Sequence, residues 1–169
     1  RTIKLLEEGS RRVGVARSME KAQRIFGEHA PTLVYGDISG CNALDALFAG
    51  DGPFVVIHTI AKVTIGEGSR RELYNVTVEG TREVTARCIT HHARLLHISS
   101  TEALGGIFDE DATYVPDPAR CETDYARANA EADRIGLDSV RQRRLNASIF
   151  PPATVLRPGD YPHTHITPV

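Results

Sequence analysis

Short apolar runs alternate along this chain with stretches of helical period. Val13–Ala16, Thr32–Tyr35 and residues 54–58, 95–98 and 147–150 read as short buried strands. Between them, Met19–Phe26 and residues 42–48, 72–90 and 123–144 carry apolar positions at helical spacing. Residues 1–8 add an amphipathic helix with Ile3, Leu5 and Leu6 on one face, stopped by Gly9, which enters a left-handed cap without strain. In residues 72–90, Val76, Gly80, Val84 and Cys88 fall on one stripe, and the small Gly80 admits a close neighbour. Strands separated by helices of this length predict an α/β fold: a parallel sheet with helices on both faces and right-handed crossovers. Residues 105–122, rich in Gly, Asp and Pro, read as an insertion beside the ends of the strands.

Composition narrows the function classes. With 169 residues, 41% hydrophobic and 25% charged, the chain can fill one packed core. A net charge of −2 offers no field for nucleic acid or an anionic membrane, so neither is an expected partner. Cys41, Cys88 and Cys121 are odd in number, far apart and lack a CxxC pair, which favours free thiols in the cytoplasm over a disulfide framework or a zinc site. His91 and His92 close a helix, and His163 and His165 stand in a terminal stretch without a Cys or carboxylate partner, so no metal site is expected.

The chemistry concentrates in HISSTEALGG, residues 97–106, and in YARANAEAD, which opens at Tyr125. An apolar strand that ends in consecutive hydroxyls, followed by a Tyr entering a helix, can aim a hydroxyl and a phenol at one carbonyl. Thr101 and Tyr125 are the candidate pair, with Ser99 and Ser100 expected to cap the turn.

These stretches resemble, in order along nearly the whole chain, the extended short-chain dehydrogenase/reductases, the epimerase/dehydratase group that includes dihydroflavonol-reductase-like proteins. VGVARS resembles that family's second strand, LVYGDIS its third and VVIHTIAKV its fourth. ELYNVTVEGTREV resembles the helix with Asn-Val-x-Gly-Thr, HISSTEAL the fifth strand, YARANAEA the Tyr-x-x-x-Lys helix, and LNASIFPPATVLRPGDY the sixth strand with its cofactor loop. The resemblance implies a Rossmann-type doubly wound sheet, NADP or NAD as cofactor and a small-molecule substrate, with Tyr125 exchanging a proton and Thr101 holding the substrate oxygen. It assigns the cofactor to Arg17, Ser18, Asp37, Ile38, Thr59, Ile60, Ala61, Thr77, Ser99, Tyr125, Pro152 and Val155. Arg17 stands where a basic residue favours the 2′-phosphate of NADP.

The chain departs from that pattern at several points. The residue one turn beyond Tyr125 is Asn129 where the family has Lys. A unit charge ~5 Å from the phenol at an effective dielectric near 20 is worth about 3 kcal/mol, and Asn does not supply it. Thr77 replaces the Asn of Asn-Val-x-Gly-Thr, while Lys62, in the loop after the fourth strand, is a candidate replacement ammonium. Ile60 replaces a customary Ala beside the cofactor. The glycine-rich turn and the first strand are not among these residues, so residues 1–169 read as part of a Rossmann domain within a longer protein. Because the first strand is central in the order 3-2-1-4-5-6, the sheet is expected to be cut in two.

Two functions follow from the resemblance. One is an NAD(P)-dependent oxidoreductase or epimerase/dehydratase with Thr101, Tyr125 and Asn129 in the catalytic positions. The other is a catalytically impaired relative that binds a nucleotide or a protein. On either reading a homodimer is a candidate assembly.

Overall fold

The computed structural model describes residues 11–29, 31–38, 41–63, 69–106 and 114–153. The segment expected at 1–8 lies outside them. β1 (Val13–Ala16) pairs in parallel with β2 (Thr32–Tyr35), Val13 opposite Thr32 and Ala16 opposite Tyr35. β3 (Val55–His58), β4 (Arg94–Ile98) and β5 (Asn146–Phe150) form a second parallel sheet in that order, with His58 opposite His97 and Ile98 opposite Phe150. Among the described residues the strands thus fall into two sheets, the division expected of a doubly wound order without its central strand.

Side-chain caps set the helix starts. α1 (Met19–Phe26) opens on Ser18, whose hydroxyl accepts from the Lys21 amide at 3.2 Å. α2 (Cys41–Asp45) continues as a 3₁₀ turn over Ala46–Phe48, in place of the single α-helix expected at 42–48. α3 is continuous from Arg70 to Thr90 but not uniform: Arg70–Tyr74 and Gly80–Thr90 flank a π-helical turn at Asn75–Glu79. α4 (Asp124–Arg141) starts at Thr123, whose hydroxyl accepts from the Ala126 amide at 3.0 Å.

The main core joins Ile38 after β2, Leu44 of α2 and Phe48 of its 3₁₀ turn to Val84 and Cys88 of α3, Ala93 just before β4, Leu95 of β4, and Leu145. The stripe read from sequence is its α3 wall, with Gly80, Val84 and Cys88 buried and Val76 packed at the margin. What approaches Gly80 is Ile38: a Cβ on the glycine would stand 3.0 Å from Ile38 Cγ2. α4 packs through small residues, Ala126, Ala128, Ala130, Ala132 and Gly136, all buried. Their size lets the helix lie close on its neighbours, and Gly136 faces Ile149 of β5.

Candidate functional site

Arg17, Ser18, Asp37, Ile38, Thr59, Ile60, Ala61, Ser99, Thr101 and Pro152 follow the carboxyl ends of the strands, where open α/β sheets bind ligands, whereas Thr77 lies in α3 and Tyr125 and Asn129 in α4. After β1 and β2, Arg17 and Asp37 come together, Nη1 to Oδ2 3.7 Å apart. Ser18 is occupied by its cap of α1, and Ile38 turns into the core. After β3, Thr59, Ile60 and Ala61 are exposed along one loop. That loop is fastened to α3 by Lys62. Its amide donates to Thr77 Oγ1 at 3.2 Å, and its ammonium pairs with Glu72. After β5, the Pro152 carbonyl accepts from the Thr101 amide at 3.1 Å, while Val155 lies outside the described residues.

Thr101 opens a 3₁₀ turn, Thr101–Leu104, capped by Ser100, whose hydroxyl accepts from the Glu102 amide at 3.3 Å. Ser99 does not cap this turn as expected. It points inward and donates to Asp133 Oδ2 at 2.6 Å, because the strand ends with this side chain facing α4. Tyr125 sits in the first turn of α4, half-buried, its ring packed against the cluster of Leu73, Val78 and Ala128. Ala103 of the turn packs with Ala126 and Ala130 of the helix. Those alanines bring the backbones carrying Thr101 and Tyr125 to one place.

The two substituted positions are internally satisfied. Asn129 is 2% exposed, and its Nδ2 donates to the Tyr125 carbonyl at 2.9 Å. Thr77, in the π-turn, spends its hydroxyl on the Lys62 amide and its carbonyl on the Thr81 hydroxyl at 2.6 Å. Lys62, weighed as a replacement ammonium, is held by Glu72.

Beneath these groups lies a polar network that the sequence reading missed. Asp133 is 0% exposed. Its Oδ2 accepts from both Ser99 and the Tyr114 hydroxyl, and its Oδ1 stands 3.1 Å from His97 Nε2. This last contact is electrostatic, since the ring nitrogen is not aligned for a hydrogen bond. His97 stacks on His58 with ring centroids 5.1 Å apart, and His58 Nε2 lies 3.0 Å from Thr81 Oγ1. Because the Thr81 hydroxyl gives its proton to the Thr77 carbonyl, His58 must be the donor, so its Nε2 carries a hydrogen. Burial first, then the neighbouring His97, lowers His58 to about 3. Burial, reinforced by Asp133, pushes the Tyr114 phenol up, and burial pushes the Cys88 thiol up to about 12, so both keep their protons. Part of the signal was in the sequence, since Asp133 interrupts the alanine face of α4, whereas the pairing of the two histidines comes only with the strand register.

Cys88 and Cys121 are free thiols. Among the described residues no His, Cys, Asp and Glu cluster could hold a metal, and no helix is long and apolar enough to cross a membrane.

The model of the NAD dependent epimerase/dehydratase family matches residues 2–168, and the chain belongs to that family. It is 34% identical over 135 residues, 75% of its length, to sterol demethylase protein B of Methylococcus capsulatus, of which the match covers 39%. Among solved structures it is similar to Pal from Bacillus thuringiensis, with a TM-score of 0.68, 17% identity, and coverage of 88% of this chain and 50% of that one. It is also similar to a double mutant of the dTDP-glucose 4,6-dehydratase DesIV from Streptomyces venezuelae with NAD and DAU bound, with a TM-score of 0.63, 17% identity, and coverage of 81% and 44%. The chain thus spans half the length or less of these relatives. Their likeness in structure gives the Rossmann-type fold.

Proposed function

We propose that this chain forms part of an NAD(P)-dependent oxidoreductase or epimerase/dehydratase acting on a carbonyl or hydroxyl of a small molecule. The observation that carries the reading is the packing of Ala103 against Ala126 and Ala130, which brings the Thr101 turn to the start of the Tyr125 helix. The residues present fit the adenosine half of a dinucleotide and a path for the rest of it. Arg17 and Asp37 offer a charged edge for the adenosine half, and the exposed loop of Thr59, Ile60 and Ala61 leaves a path along the strand ends. Bound there, the cofactor would supply hydride chemistry. Thr101 would hold the substrate oxygen by a hydrogen bond, and the Tyr125 hydroxyl would give that oxygen a proton on reduction and take one from it on oxidation. The free thiols of Cys88 and Cys121 fit a reducing, cytoplasmic compartment, and a homodimer is part of the same proposal.

A second reading is favoured by specific contacts: Asn129 and Thr77, at two positions that depart from the family's pattern, spend their polar groups on the protein itself. On that reading the chain binds a nucleotide or a protein without turnover. One experiment separates the two. The protein containing this chain is titrated with NAD and NADP, then assayed with a panel of alcohols, ketones and nucleotide sugars. Turnover abolished by Tyr125→Phe supports the enzyme, whereas binding without turnover supports the impaired relative. Absence of dinucleotide binding overturns both the enzyme and a dinucleotide-binding relative.

A further inference from the structure

Asp133 lies on α4 about two turns beyond Tyr125, and nothing in the proposed chemistry uses it. Burying a carboxylate costs several kcal/mol unless its oxygens find partners. Here the partners come from separate parts of the chain. Ser99 stands at the end of β4, two residues before Thr101; Tyr114 belongs to the connection that precedes α4; His97 lies within β4. His97 leads through the stacked ring of His58 to Thr81 and the carbonyl of Thr77, so the same carboxylate is joined to the π-turn of α3.

We propose that Asp133 is a positioning residue that sets Thr101 relative to Tyr125. Packing alone would be served by another alanine on this helix face. A carboxylate does what a methyl group cannot, because two hydroxyls on one oxygen fix direction as well as distance. Ser99 is the arm that reaches the Thr101 turn, and the helix is the arm that reaches Tyr125. The inference rests on the proposed roles of Thr101 and Tyr125.

The test uses Ser99→Ala, Ser99→Thr, Tyr114→Phe and Asp133→Asn, read by amide hydrogen exchange and by the ¹³Cζ resonance of labelled Tyr125. Ser99→Ala should speed exchange of the Thr101 and Ala103 amides about tenfold or more while Cys88 and Leu95 change less than about twofold. The Tyr125 resonance should shift in Ser99→Ala and return in Ser99→Thr, a rescue that simple loss of packing would not produce. Tyr114→Phe should leave the Thr101 amide protected, because the Ser99 arm is intact. If Asp133→Asn does not fold, the Ser99 pair decides. Uniform acceleration across the chain, or an unmoved Tyr125 resonance in Ser99→Ala, overturns the proposal. NAD titration of the unaltered protein is run alongside. If it fails to bind, the functional reading falls while the exchange data still judge the role of Asp133.

Discussion

Asn129 Nδ2 donates to the Tyr125 carbonyl 2.9 Å away, turning the amide back along its own helix. The residue at the family's ammonium position is therefore a buried self-cap of α4. Its polar group serves the backbone of Tyr125.

Restoring the ammonium should restore the chemistry. In the protein containing this chain, Asn129→Lys should raise turnover at neutral pH about 10- to 100-fold and move the pH–rate profile toward neutrality, since a charge ~5 Å from the phenol is worth about 3 kcal/mol. Tyr125→Phe should abolish turnover in either background. Brisk turnover indifferent to Tyr125→Phe would show that the site is wrongly assigned.

Acid stability should carry the mark of His58. Its folded value of about 3 lies below the ordinary 6.5, so the unfolded chain binds a proton that the native state refuses. The stability contribution is complete above pH 6.5 and falls as pH drops toward 3, by about 1.4 kcal/mol per unit. His58→Gln, which keeps a donor for Thr81, should flatten this loss by about 2 kcal/mol between pH 6.5 and 5. Urea unfolding at a series of pH values measures the difference, and parallel curves for the two proteins would refute it.

The contact between Gly80 and Ile38 should be energetically coupled. Gly80→Val drives bulk into a side chain that already stands 3.0 Å from the position of a Cβ, so it should cost about 2–3 kcal/mol. Ile38→Ala opens that space at its own cost, and the double variant should be more stable than the sum predicts by about 1 kcal/mol or more. Strict additivity in chemical unfolding would mean that the helix moves away instead.

Cofactor preference should turn on Arg17. Its side chain is 70% exposed and its guanidinium lies 3.7 Å from Asp37, within reach of a 2′-phosphate at the end of β1. Arg17→Asp should weaken NADP at least about tenfold more than NAD by calorimetry. Equal losses would leave Arg17 as a surface partner of Asp37.

Strands and helices were legible because each depends on local pattern. Val13–Ala16 and Thr32–Tyr35 form at the expected bounds, and the other strands differ by one residue at their starts, where no side-chain alternation marks the first paired position. The division into two sheets among the described residues was legible too, since the family order places between them a strand that none of the described residues forms. The π-turn at Asn75–Glu79 was not, and the Lys62 amide that takes its Thr77 hydroxyl comes from a loop outside the helix, a contact that local pattern does not show. Ser99 was read as a turn cap for the same reason, as a hydroxyl's choice between backbone and a distant carboxylate is absent from local sequence. His58 and His97 passed as strand ends, because a buried imidazole pair depends on strand register.

The alanine and glycine face of α4 makes the helix a lever. Methyl groups have no rotamers with which to absorb a change in size, so a larger side chain must move the whole rod. Gly136 sits against Ile149 Cδ1, 3.4 Å from where a Cβ would stand, eleven residues and about 16 Å along the axis from Tyr125. A substitution there that tilts the rod by a few degrees displaces the phenol by roughly an ångström, enough to spoil a hydrogen bond. Loss of function can therefore arise at the far end of α4, in a residue with no chemistry of its own.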